Sequence, residues 1–227
     1  MRFPSAAKGV TKIFIAEIMT FFTYVISGVL AVFIMPAGEV ESIDFSDGLS
    51  SVESLILIFV GCFGVLTLLA VIFRIIGYIQ AARDEEYFTR AIIFAIISFV
   101  LTGISGFLQT KSGVVGDWIS TIVMSIAQLM NLFVFTSTLN GLMELSYQCR
   151  RDDLVRRGST VHKLISTIFV LSICLIILNR VFRLFISGSI ISTIILVASV
   201  IIILLVIIGY FLYFGYLGKV SKMLRRS

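Results

Sequence analysis

Six runs of apolar residues alternate with short polar stretches along the chain, at about 10–34, 53–80, 90–108, 118–147, 164–184 and 190–216. A helix of about 20 apolar residues spans a hydrocarbon layer of about 30 Å. Backbone immersed in lipid must satisfy its own hydrogen bonds, which helices do within one segment. The pattern therefore predicts an all-α integral membrane protein. It consists of six transmembrane helices in one membrane domain covering residues 1–227.

The charges orient these spans. With the N-terminus inside, fifteen of the eighteen Lys and Arg residues fall on the inner side, and only Lys111, Arg180 and Arg183 fall outside. Lys and Arg in short loops stay cytoplasmic during insertion, so both termini are expected in the cytoplasm. Trp118 then marks the outer interface, and Tyr78, Tyr87, Tyr147 and Tyr216 mark the inner one, where amphipathic rings are favoured. The stretches 148–163 and 218–227 read as a basic inner loop and a basic tail.

A weak internal repeat accompanies the threading. Residues 11–28 align without gaps on 89–106 with seven identities in eighteen pairs, both ending Ile–Ser–Gly. Gln80-Ala-Ala-Arg-Asp after the second span parallels Gln148-Cys-Arg-Arg-Asp after the fourth. Three helical hairpins in tandem, entering the membrane in the same direction, describe this economically.

Composition fits the same class. The chain has 227 residues, 59% hydrophobic and only 14% charged, with a mean hydropathy of +1.10. Soluble domains carry about 25% charged residues. The net charge of +5 belongs to the inner surface. It points to anionic lipid headgroups as partners, alongside other membrane subunits, and not to nucleic acid. Cys62, Cys149 and Cys174 lack metal-type spacing and read as reduced thiols. The first apolar run is too long for a signal peptide and is read as a retained helix.

Ionisable groups within spans are costly, about 2.5–3.5 kcal/mol at mid-helix, and so are candidate functional residues. Glu17 lies five residues past Lys12, and Arg74 six before Gln80. On antiparallel neighbours they reach similar depth, which predicts a Glu17–Arg74 pair. Glu17, Thr20, Tyr24 and Ser27 share one face of the first span. The equivalent face of the third span carries Ala91, Ala95, Ser98, Thr102 and Ser105, a composition suited to close helix packing. In the fourth span, Gln128 and Asn131 lie near the midplane and need partners. Asn140 and Glu144 form a pair of their own nearer the inner end, with Arg90 or Arg150 expected opposite Glu144. A polar cavity between spans 1, 3 and 4 would gather several of these groups.

On the outer side, the loop 36–52 carries Glu39, Glu41, Asp44 and Asp47. Arg180 and Arg183 stand at the outer end of the fifth span. Opposite charge predicts that this loop folds over the mouth as a lid. The inner clusters Asp84-Glu85-Glu86 and Asp152-Asp153 sit among arginines and read as charge-balanced loops.

Signals for catalysis are sparse. His162 is the only histidine, and no Ser-, P-loop or dinucleotide motif is present, so neither a cofactor nor a metal is expected. Compact loops and the lack of a glycosylation sequon suggest a prokaryotic plasma membrane. Two function classes remain. One is a small transport-type membrane subunit with its polar cavity between spans 1, 3 and 4. The other is a non-catalytic assembly, regulatory or scaffold partner acting through its basic cytoplasmic loops.

Overall fold

The computed structural model describes the main chain of residues 3–34, 51–109, 114–185 and 189–226, and side-chain surroundings for 3–23, 61–108, 116, 118–178 and 197–226. Six helices follow in order: α1 Pro4–Ile34, α2 Ser51–Ala81, α3 Tyr87–Gln109, α4 Val114–Gln148, α5 Asp152–Phe185 and α6 Ser189–Arg226. No strand occurs among the described residues. Five helices, α2 to α6, hold described stretches of 21 to 31 residues long and apolar enough to cross a membrane.

Each helix packs on the next, and α6 returns onto α1, so the helices close a ring in chain order. A contact between α4 and α6 pinches this ring across its middle, with Phe135 edge-on to Tyr213 at 5.3 Å between ring centroids. The start of α1, the turns 82–86 and 149–151, and the end of α6 gather at one end, called here the basic end.

Two stretches depart from the sequence reading. Residues 148–163 are not a loop, because α5 begins at Asp152, and the tail from Gly218 is helical to Arg226. Their charged residues are exposed, among them Arg156, Arg157, Lys163, Lys222, Arg225 and Arg226, while Leu154, Val161 and Ile165 on α5 and Leu217, Val220 and Leu224 on α6 are buried at helical spacing. The α5 and α6 helices have 34 and 38 residues. At 1.5 Å per residue they are about 51 and 57 Å long, well beyond a hydrocarbon layer of about 30 Å.

Local chemistry fixes the ends. Pro4 opens α1, where its missing N–H costs nothing. The free Ala6 N–H is capped by Asp84 Oδ2 at 2.6 Å, from the turn after α2. Asp84, read as part of a charge-balanced loop, thus holds α1 in place. After α4, Arg150 adopts a left-handed φ of 55°. Its N–H bonds the Tyr147 carbonyl at 2.8 Å and the Arg151 N–H bonds that of Ser146 at 3.0 Å. This pairing of a C′ and a C″ donor is a Schellman cap, which turns the chain into α5 within three residues.

The core lies at the basic end. Val10, Phe88, Leu139, Leu142, Leu145, Leu217 and Leu224 are fully buried. The α1–α2 crossing is close enough that a Cβ on Gly9 would stand 2.5 Å from the Gly77 carbonyl oxygen. Only glycine permits this approach. Away from this end, large apolar side chains point outward, among them Phe99 at 78% and Leu68 at 64% exposure.

Candidate functional site

At the edge of this core, α1, α2 and α6 enclose a polar cluster. The α1–α2 crossing brings Glu17 and Arg74 to the same level, with Arg74 Nη2 3.0 Å from Glu17 Oε1. The pair expected from depth alone is therefore formed. The Glu17 side chain is 3% exposed and that of Arg74 32%. Arg74 Nη2 also reaches Thr20 Oγ1 at 3.3 Å, whose own proton goes to the Ala16 carbonyl.

The Tyr210 hydroxyl faces two acceptors of the same residue, the Glu17 carbonyl at 2.7 Å and Glu17 Oε2 at 3.0 Å. Its single proton serves one at a time. Phe21 stacks on the Tyr210 ring at 5.9 Å, and Phe14 on Phe214 at 4.7 Å, so the α1–α6 seam is aromatic. One layer deeper, Tyr78 is hydrogen-bonded to Thr138 Oγ1 at 3.1 Å, tying α2 to α4. Two buried polar atoms of the cluster, Arg74 Nε and the Tyr213 hydroxyl, have no hydrogen-bond partner among the described residues. Such orphans cost about 1–3 kcal/mol each.

The polar residues assigned to one cavity between spans 1, 3 and 4 are divided between two seams. Glu17, Thr20 and Arg74 meet at α1, α2 and α6. Asn131 lies instead at the α3–α4 seam, where its Oδ1 accepts from Ser98 Oγ at 3.0 Å. Ser105 and Ser120 hydroxyls lie 3.0 Å apart in the same seam. Ala91, Ser98 and Ser105 recur every seven residues, all buried. Small and hydroxyl residues at that spacing let the two backbones approach, so this face packs helices. Gln128 is half-buried beside it. Among the described residues the α1 backbone does not come close to that of α3 or α4, which separates the two groups.

Among the described residues Glu144 pairs with no arginine, neither Arg90 nor Arg150. It accepts from Gln148 Nε2 at 3.0 Å, one turn along its own helix, and Arg90 pairs with Glu86 on α3's approach at 3.0 Å. Asn140 is half-buried nearby on α4. In the turn after α2, burial pushes the Glu85 carboxyl up, with repulsion from Glu144 and Glu86 adding to it and backbone N–H groups opposing. Glu39, Glu41, Asp44 and Asp47 lie outside the described residues, as do the side chains of Tyr24, Arg180 and Arg183, so the lid falls outside them too.

Sequence reading assigned Tyr78 only to the inner interface and missed Tyr210 and Tyr213. A signal existed in Tyr210, Tyr213 and Leu217, which share one face of α6. At the basic end, a separate pocket of about 480 Å³ is lined by residues of the 149–151 turn, α5 and α6. No group of His, Cys, Asp and Glu suited to a metal ion occurs among the described residues. Comparison of the chain with protein families, with characterised proteins and with solved structures yields no match.

Proposed function

We propose that this chain is a multi-pass protein of a prokaryotic plasma membrane, of transport type, in which Glu17 and Arg74 form the gate on the cytoplasmic side. The chain threads the membrane six times as one domain, with both termini in the cytoplasm. The carrying observation is the ion pair: a carboxylate out of contact with water, held between three helices, with two unsatisfied polar atoms beside it.

Position supports a gate. Tyr210 lies 21 residues from the start of α6, about 32 Å along the axis, which matches the inner edge of a hydrocarbon layer about 30 Å thick. Below it the ring is plugged by Phe135, Leu139, Leu142 and Tyr213. A solute path through the ring would have to part this layer. Neutralising Glu17 releases Arg74 and leaves Tyr210 only the Glu17 main-chain carbonyl, which loosens α1 from α2. The cavity of the transport reading moves accordingly, from spans 1, 3 and 4 to the space above this cluster.

A filled plug equally suits a membrane-embedded assembly or regulatory partner, in which the pair is structural. One experiment separates the two. In a cysteine-free background, Thr138→Cys is fully buried in the plug and Ser105→Cys is buried in the α3–α4 seam. Inside-out vesicles are treated with an impermeant maleimide. For a gate, Glu17→Gln raises labelling at position 138 at least about tenfold, a shift of about 1.4 kcal/mol in opening, while position 105 stays protected. Unchanged labelling at 138, or a rise at both positions, sinks the gate and leaves the partner role. Breaking a buried pair costs about 3–5 kcal/mol, and the exposure of Arg74 reduces this to about 2–3 kcal/mol here. Glu17→Gln with Arg74→Gln should therefore cost less than the two singles added.

A further inference from the structure

The pocket at the basic end gathers five cations from three places in the chain: Arg151 from the turn, Arg157 from α5, and Lys219, Lys222 and Arg226 from α6. Its one carboxylate, Asp153, is already engaged by Arg151, with Nε to Oδ1 at 2.9 Å and Nη2 to Oδ2 at 3.0 Å. Arg157, Lys219, Lys222 and Arg226 have no ion pair among the described residues. We propose that this pocket is a binding site for a polyanion carrying two phosphate groups.

The charge bias that orients the spans requires only that Lys and Arg lie on one side. It does not require them to converge. Here Lys219, Lys222 and Arg226 repeat at i, i+3 and i+7, which puts them on one face of α6 turned to α5. Rigid packing holds them there, because Leu154, Val220 and Leu224 beside them are at most 3% exposed. Five cations against one carboxylate in a concave site repel one another, and the concavity focuses their field on whatever enters. A multiply charged anion relieves that repulsion. Guanidinium forks match phosphate oxygens in pairs, and the lysines add point charges. The volume of about 480 Å³ exceeds what a single inorganic phosphate needs.

Two sources offer this chemistry. Lys219 lies 30 residues from the start of α6, about 45 Å along the axis, and a bilayer with its headgroups is about 40–45 Å thick. The pocket mouth thus stands at the headgroup boundary, within reach of a lipid diphosphate and of a soluble one. The site does not depend on the transport reading and stands or falls separately.

Cys149 lines the pocket and is a built-in reporter. The protein in nanodiscs is alkylated with a soluble maleimide, and the rate at Cys149 is followed by mass spectrometry. Slower alkylation with inorganic pyrophosphate in neutral-lipid discs supports the site with a soluble ligand. Slower alkylation only in discs containing diphosphatidylglycerol, and not in discs of equal charge made with phosphatidylglycerol, supports it with a lipid headgroup. In either case Lys222→Gln and Arg226→Gln should each weaken the protecting ligand about tenfold, as removal of a charge-assisted bond does. Arg156→Gln and Lys163→Gln remove the same charge away from the pocket and should leave protection unchanged. No protection by either source, or an equal loss in all four variants, overturns the proposal.

Discussion

The two halves of this molecule are both apolar, yet they are held together differently. At the basic end, Val10, Leu145 and Leu217 are completely buried, whereas along the shafts Phe99, Leu68 and Phe107 are more than 60% exposed. Water at the basic end drives apolar side chains together, at about 25 cal/mol per Å² removed. Lipid offers no such drive, since its tails are as apolar as leucine, so the shafts adhere through small residues and hydroxyls. The Ser98, Asn131, Ser105 and Ser120 contacts between α3 and α4 illustrate the second mode. The Glu17–Arg74 cluster lies where one regime gives way to the other.

The sharpest test of this contrast uses glycine. A side chain on Gly9 would meet the Gly77 carbonyl and the Ala81 main-chain nitrogen at 2.5 and 2.6 Å. Gly9→Leu should separate α1 from α2, with a loss of about 3 kcal/mol or more in detergent unfolding. On the α3 shaft, a Cβ added at Gly103 would meet nothing within 4 Å. Gly103→Ala should stabilise by about 0.5–1 kcal/mol through helix propensity alone. If both substitutions destabilise alike, the α1–α2 crossing is not the special contact.

A smaller effect comes from truncating apolar side chains. Leu142→Ala at the basic end should lower stability by about 2–5 kcal/mol, through lost burial and a residual cavity. Phe99→Ala, from a side chain 78% exposed, should fall within about 0.5 kcal/mol of the parent. Equal losses, measured by thermal unfolding in the same detergent, would show that the shafts pack as tightly as the end.

The smallest effect is a pH dependence. The carboxyl of Glu85 is held above the usual carboxylate range, first by burial and then by Glu144 and Glu86. The folded protein thus binds this proton more tightly than the unfolded chain. Its contribution is fully present below the unfolded value of about 4.3 and is lost as pH rises through the folded one. Glu85→Gln should therefore raise the melting temperature slightly at pH 7, and the gain should vanish at about pH 4. A gain that persists at low pH would assign the effect to something other than the charge.

The six helices were legible as apolar segments because a helix able to cross a membrane needs a long uniform run, a signal that no neighbour has to complete; among the described residues five are long and apolar enough to do so. The Glu17–Arg74 pair was legible for a related reason: helical rise converts sequence position into depth, and two opposite charges at one depth on consecutive helices find each other. The helices at 152–163 and 217–226 were obscured by their charges, which in water are the solvated face of an amphipathic helix. Only the buried spacing of Leu154 and Val161, or of Leu217, Val220 and Leu224, distinguishes them from loops.

Lateral neighbours were beyond the reach of depth. Whether Asn131 faced α1 or Ser98 depended on how each helix is rotated about its axis, and rotation is set by which partner allows the closest approach. The same holds for Tyr210 against Glu17, for Asp84 at the start of α1, and for the convergence of Arg157, Lys219, Lys222 and Arg226 on the basic pocket. The hydrophobic pattern determined the number of apolar segments, and the placement of Lys and Arg between them the charge asymmetry. Packing around a ring of six helices decided which polar groups met.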